Sequence, residues 1–273
     1  MRIIRAIVAG ERDPRRLAAM RDTRTKANEQ TIAKALEGDY RREHVFALKQ
    51  SLELVDFYEK EIGDVDQQIA LHIQSLEPKI KPNQESLGPR RATKNKRRNQ
   101  PKFDIREAAF RISGVDLTEI DGINESSMLS LIAEVGVDMS QWKTEKHFAS
   151  WMAICPNNKI SGGKVLQRHT RRSASRARDI LRLCAQSLLN SKSAMGAYCR
   201  RMCARLGQPK GITAAAHKLA LLVYRMLKFG RHYVDIGQDR YEKMYKERAV
   251  KNLVRKAKDF GFQLVPLTQP QVP

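Results

Sequence analysis

Residues 45–76 read VFALKQSLELVDFYEKEIGDVDQQIALHIQSL, and this stretch decides the fold class. Stepping by three and four from Val45 gives Leu48, Leu52, Val55, Glu59, Ile62, Asp66, Ile69, Ile73 and Leu76, and eight of the ten positions are apolar. That spacing lines one face of an α-helix; a half-buried strand would alternate instead. It predicts a coiled-coil seam or one long hairpin helix of about 48 Å. Glu59 and Asp66 interrupt the seam. They either set register and partner choice or lie solvated where the seam frays.

Helical signals extend on both sides. Asp13-Pro14 offers a cap and a first-turn proline, predicting a helix over 14–37 that closes near Gly38. Beyond Phe103 apolar residues recur with helical period, predicting helices near 104–111, 125–136, 144–154, 173–189, 192–206, 212–229 and 238–260. No alternating run there exceeds about four residues. The expectation is a mainly α protein: a coiled-coil-like segment over 1–77, a basic linker over 78–102, an all-helical C-terminal domain over 103–263, and a polar tail over 264–273.

The 273-residue chain has 51 Lys and Arg against 30 Asp and Glu, a net charge of +21. Nearly all of the excess falls in three blocks. Residues 77–102 carry nine cations against Glu77 and Glu85, residues 159–182 carry eight against Asp179, and residues 200–231 carry eight with no acid. An ordinary solvated surface mixes both signs, whereas acid-free blocks suit a polyanion whose counterions they displace. Nucleic acid is the expected partner, and an acidic membrane surface is disfavoured. The longest apolar run, Leu219–Val223, excludes a membrane-spanning helix. The stretch after Arg5 is cut short by Glu11-Arg12-Asp13, unlike a signal peptide.

Four cysteines, Cys155, Cys184, Cys199 and Cys203, are too few and irregular for a disulfide framework, which predicts a reduced cytoplasmic setting. Cys199 and Cys203 stand one helical turn apart and could form half a zinc site, but no second pair sits at ligand spacing; helix packing is the favoured reading and no metal is expected.

Two motifs carry chemistry. Asp121-Gly122-Ile123-Asn124 reads as a turn opening a helix that ends at Gly136, and resembles a helix-hairpin-helix presenting backbone N–H groups to a phosphate. Asn124 takes the place of the usual second glycine and can still adopt a left-handed conformation; an ordinary helix cap is the alternative. The second motif is Lys159-Ile-Ser161-Gly162-Gly163-Lys164, which sets a serine hydroxyl in a flexible loop beside Lys159, Lys164 and Arg168. Spacing alone favours a simple turn, because a serine needs a base or metal to become a nucleophile. The segment that follows predicts a basic amphipathic helix with Arg171, Arg178 and Arg182 stacked on one side, Arg172 and Arg176 nearby, and Ala174, Ala177, Leu181, Cys184 and Leu188 buried on another. His169 is the one histidine near Ser161 in sequence.

At these residues the chain resembles a known family. Phe148–Lys164 is similar to the serine-bearing motif of the bacterial insertion-sequence transposases numbered one-ten, the RNA-guided DEDD/serine recombinases. The segments Ile4–Pro14, Tyr40–His44, Ile120–Asn124, Thr170–Arg176 and Thr213–Ala220 match that group too. The resemblance implies DNA transposition and recombination, with Ser161 attacking a DNA phosphodiester to form a phosphoserine link. The residues expected to contact nucleic acid are Gly122, Asn124, Lys159, Gly162, Gly163, Lys164, Arg168, Arg171, Arg172, Arg176, Arg178 and Arg182. Members of this family begin with a RuvC-like domain whose DEDD carboxylates hold Mg²⁺. Here Met1-Arg2-Ile3-Ile4 already resembles the helical segment that follows it. The expectation is a truncated transposase, inactive alone, with Mg²⁺ reached only through a full-length protein. The alternative is a non-enzymatic DNA-binding partner or dominant-negative regulator. Residues 45–76 are the expected surface for a second copy or for full-length transposase.

Overall fold

The computed structural model describes residues 1–79, 87–88, 100–171, 173 and 175–265, without the side chains of Val165, Gln167, Arg168 and His169. Most of the basic linker, Arg172, Ala174 and the tail beyond Val265 therefore lie outside the described residues. The chain divides into two compact units, Met1–Ala70 and Leu71–Pro273. No helix among the described residues is long and apolar enough to cross a membrane.

The first unit contains α1 (Arg2–Val8), α2 (Pro14–Ala19), α3 (Glu29–Ala35) and most of α4 (Arg42–Ser75). Asp13 caps α2 through the Arg15 amide at 2.9 Å, with Pro14 in the first turn. The single helix expected over 14–37 is two helices. Between them the Asp22 carboxylate accepts the Arg24 amide at 3.0 Å, and the Asn28 side chain accepts the Thr31 amide at 2.7 Å to start α3. Short polar side chains that bond the nearby backbone compete with helix, and here they end one helix and begin the next. Leu17 and Ala18 are fully buried. Arg5 reaches Asp56 on α4 at 2.8 Å, and the Arg12 guanidinium lies 4.8 Å from the Tyr40 ring centre.

The seam runs as one helix, α4. Leu52 and Ile73 are buried along it, while Val55 and Ile62 are exposed. Asp66 is only 8% exposed, so it is not a solvated break in the pattern.

The second unit is built around α10 (Gln208–Phe229), which packs against α7 (Glu145–Trp151), α8 (Arg176–Ser187) and α9 (Ala194–Leu206). Its inner face carries Ala215, Ala216, Leu219, Ala220, Val223, Tyr224 and Leu227, all buried. Small residues allow close approach: a Cβ on Gly211 would stand 2.5 Å from the Cys203 backbone on α9. α5 (Ile105–Ser113), a 3-10 turn (Leu117–Glu119) and α6 (Glu125–Val135) complete the body, and α11 (Gln238–Asp259) lies against α9. Asp104, Asn124, Thr144, Ser175 and Ser193 each cap the following helix through a side-chain oxygen.

One element departs from the all-helical expectation. Pro156–Ser161 (β1) and Lys164–Thr170 (β2) form an antiparallel hairpin across the two-residue turn Gly162-Gly163. Period-two alternation arises when one strand face is buried, and every residue of β1 is exposed. The ribbon therefore leaves no such pattern in the sequence. Its signal is the turn itself, because a two-residue hairpin of this type needs positive φ at both positions.

A buried ion pair fixes the start of the body. Arg106 donates from Nε to Asp116 at 2.7 Å, and its side chain is 9% exposed against 2% for Asp116. The same carboxylate takes the Thr118 amide at 2.9 Å and its hydroxyl at 2.6 Å, capping the 3-10 turn. Arg106→Leu strands a buried carboxylate and should lower the free energy of unfolding by about 3–5 kcal/mol. A denaturant titration reads this, and an unchanged midpoint would remove the pair from the stability of the unit. Gly211→Ala, which drives a methyl group into backbone, should cost about 1–3 kcal/mol in the same titration.

Candidate functional site

The hairpin starts from an aromatic base. Trp142 and Phe148 meet edge to face at 5.0 Å, Trp151 lies 5.2 Å from Trp142, and Tyr224 donates its buried hydroxyl to the Trp142 carbonyl at 2.7 Å. This cluster holds α7 against α10. Ala153, the one non-glycine residue at positive φ among those described (55°), turns the chain out of α7, and Ile154 is buried before Cys155 leads into β1. On the return strand Arg171 donates to the Ser150 carbonyl at 2.7 Å, closing the base onto the end of α7.

From that base the ribbon runs about 16 Å to its tip. Gly162 (φ 54°) and Gly163 (φ 73°) form the turn, and Ser161 pairs with Lys164 directly before it. Side chains alternate along a strand, and directly paired residues share a face. Lys159, Ser161 and Lys164 therefore occupy one face, with neighbouring Cβ atoms about 5–7 Å apart. Ile160 lies on the other face, and its backbone partner in the ladder is residue 165. The register steps between Lys159 and Ile160, leaving Leu166 as the extra residue of a bulge. Residues 156–171 contain no acid. Among the described residues no side chain accepts the Ser161 proton, so the hydroxyl is open to solvent.

The expected arginine row is different in the structure. Arg171 lies before α8, which begins at Arg176 behind its Ser175 cap, so it does not stack with Arg178 and Arg182. It is engaged with Ser150 instead. Arg178 is paired with Asp179 at 3.0 Å and largely enclosed, whereas Arg176 and Arg182 stay exposed, Arg176 reaching Glu134 at only 3.6 Å. The buried stripe of Ala177, Leu181, Cys184 and Leu188 is present.

The turn at 121–124 sits on α8. Gly122 has φ 90°, and a Cβ there would stand 2.7 Å from the Cys184 carbonyl oxygen and 3.1 Å from the Leu188 side chain. Asn124 is extended (φ −107°) and not left-handed, because its side chain caps α6 through the Ser127 amide at 2.9 Å. Asn124, Ser126, Ser127 and Ser130 border a cleft of roughly 350 Å³ with Ile180 and Leu183 of α8. The structure thus brings Gly122 and Asn124 to α8, while Ser161 and its two lysines stand at the ribbon tip.

The block over 200–231 reads differently in three dimensions. Arg200 donates to Ser191 O at 2.6 Å and to Gln238 at 2.7 Å; Arg201 stacks 3.5 Å from the Tyr245 ring centre. Arg225 pairs with Glu145 at 2.7 Å, and Lys228 donates to the Tyr224 hydroxyl at 2.8 Å. These cations tie helices together, so much of this block is internal bonding.

Titration follows from the same contacts. Hydrogen bonds from Arg225, which outweigh partial burial, hold the Glu145 carboxyl below the usual carboxylate range. Burial, reinforced by Lys218, lowers the His217 imidazole against an opposing pull from Glu145. Burial and the adjacent Cys203 push the Cys199 thiol up to about 12. Among the described residues no three His, Cys, Asp or Glu side chains come together as a metal ion would need.

Residues 116–200 match the family model described as Transposase IS116/IS110/IS902 family. The matched stretch runs from the buried Asp116 through the turn, α6, α7, the hairpin and α8 into α9, about a third of the chain. No curated protein matches the chain. The similarity supports a role in DNA transposition.

Two outcomes follow. Gly162→Ala with Gly163→Ala meets open space but forces two left-handed alanines, at about 1 kcal/mol each. Amide exchange over 156–170 should speed up while global unfolding stays unchanged; a shift in global unfolding would place the hairpin inside the core. The depressed His217 value means that the unfolded chain takes up a proton first as pH falls through 6.5, so stability drops there. The Glu145 contribution is present above 4.5 and is lost as pH falls through its lower folded value. His217→Gln should flatten the upper window alone in thermal melts across pH.

Proposed function

We propose that this chain acts in DNA transposition as a DNA-binding protein whose nucleophile is Ser161. The observation that carries this reading is the single ribbon face holding Lys159, Ser161 and Lys164, inside the segment similar to transposases. Ser161 Oγ forms a bond to phosphorus, the bond from phosphorus to a deoxyribose oxygen breaks, and that oxygen leaves as a hydroxyl after taking up a proton. The serine proton passes to water. A second DNA hydroxyl then attacks the phosphoserine and releases Ser161, so one phosphodiester is exchanged for another without an external energy source. Two flanking ammonium groups offset the charge that builds on the non-bridging oxygens, and the side-chain-free turn lets the backbone come close.

The family's Mg²⁺ carboxylates have no counterpart cluster among the described residues, so the metal that would activate the serine would be supplied by a full-length transposase. The start of α6, capped by Asn124 beside Gly122, serves as a second phosphate contact in the manner of a helix-hairpin-helix. Arg176 and Arg182 meet further phosphates, of DNA or of a guide RNA.

A second reading rests on α4. Leu54, Val55, Phe57, Tyr58, Ile62 and Val65 are exposed on it, an apolar surface that suits another copy or a full-length transposase bringing its DEDD domain and Mg²⁺. In that pairing the chain completes an active complex or regulates it.

Fluorescence anisotropy with labelled duplex DNA tests the binding half. Replacing Lys159 and Lys164 by Ala should weaken affinity and reduce the salt slope by about 2. Ser161→Ala should leave that affinity intact and abolish strand joining when recombination is reconstituted with full-length transposase. Recombination at the wild-type rate in Ser161→Ala would remove the serine from the mechanism. A strictly monomeric chain that fails to co-purify with full-length transposase would remove the second reading.

A further inference from the structure

The two faces of the ribbon differ in a way that strand transfer alone does not explain. One carries Lys159, Ser161 and Lys164. Off that face, next to the nucleophile, Ile160 is 63% exposed, and the bulge residue Leu166 is 70% exposed. Branched aliphatic side chains left largely in water at the end of a protruding hairpin contribute little burial to its stability. A bulge takes a residue out of the ladder and re-aims its side chain, and here the residue re-aimed is a leucine.

We infer that Ile160 and Leu166 form an apolar wedge that enters the base stack of duplex DNA beside the phosphate presented to Ser161. This rests on the DNA-binding reading above and adds to it how the duplex is opened. Charge selects the occupant: the hairpin from 156 to 171 has no acid and carries Lys159, Lys164, Arg168 and Arg171, so the ribbon that bears the two apolar side chains attracts a polyanion. A two-stranded ribbon is narrow enough to enter a DNA groove. Leucine and isoleucine are among the side chains that wedge between base steps, partly unstacking them and kinking the helix. Moving two such side chains out of water is favourable by an amount of the same order as the cost of unstacking one step. With one face against the sugar–phosphate chain, the other reaches the bases at the same step. The wedge also confers a sequence preference without base hydrogen bonds, because pyrimidine–purine steps such as TA and CA unstack most easily.

The test uses the full chain with short duplexes carrying 2-aminopurine at successive positions, including beside a TA step. Anisotropy reports binding and 2-aminopurine emission reports unstacking. At saturation the wild-type chain should raise emission several-fold at one or more positions, most strongly at the TA step. The Ile160→Thr, Leu166→Thr variant keeps strand-forming side chains and should still bind while losing most of that rise. Lys159→Ala with Lys164→Ala should bind more weakly yet restore the full rise at saturation, and Ser161→Ala should leave it unchanged. A saturated wild-type complex with no rise, or an equal rise in the threonine variant, overturns the wedge and leaves DNA binding standing. A chain that does not bind DNA overturns both readings.

Discussion

Two consecutive residues at positive φ, Gly162 and Gly163, fix the register of the hairpin and with it everything Ser161 can do. A two-residue turn of this kind allows one pairing, Ser161 with Lys164. The pleat then places Lys159 on the same face and Ile160 on the opposite one. A slip of one residue would move the serine and Lys159 to the face opposite Lys164. The site is thus set by backbone geometry at two glycines, while its chemistry is borne by side chains that nothing buries.

An isolated two-stranded ribbon is only marginally stable in water, so its base has to be held elsewhere. Trp142, Phe148 and Tyr224 lock α7 onto α10, and Arg171 fastens the return strand to the last turn of α7. Further back, Arg106 and Asp116 order the turn that leads to Gly122, which itself rests on α8. The rigid body fixes where the hairpin begins, and the tip is left without packing. The cations divide along the same line. Arg200, Arg201, Arg225 and Lys228 bond their helices to neighbouring segments, whereas Lys159, Lys164, Arg176 and Arg182 face solvent and remain able to meet phosphate.

Much of the helical fold was legible because the signals were local and mutually consistent. Asp104, Asn124, Thr144, Ser175 and Ser193 each mark a helix start, and the apolar period between them agrees with the caps. The break at 20–28 was harder to see, since Asp22 and Asn28 act through short-range bonds that a periodicity search does not weigh. The hairpin is hidden for the opposite reason: β1 buries nothing and so has no alternation to detect, although its Gly-Gly turn is in plain view. Ser161 and its lysines were found in sequence, but their arrangement on one face needed the register. Arg171 and the cations of 200–231 were read as surface because a sequence records charge and not the carbonyl, ring or carboxylate that each charge meets. Ile160 and Leu166 carried no signal beyond being apolar; only their exposure sets them apart.

The central claim is that Ser161 forms the covalent link to DNA. It is tested most directly by reconstituting transposition on DNA whose bridging oxygen at the cleaved phosphate is replaced by sulfur, so that the covalent intermediate accumulates, and mapping the adduct by peptide mass spectrometry. A nucleotide phosphate is expected on the peptide that contains Ile160, Ser161 and Gly162, localised to the serine. A phosphate adduct on a different residue, or accumulated cleavage with no protein adduct, would contradict it.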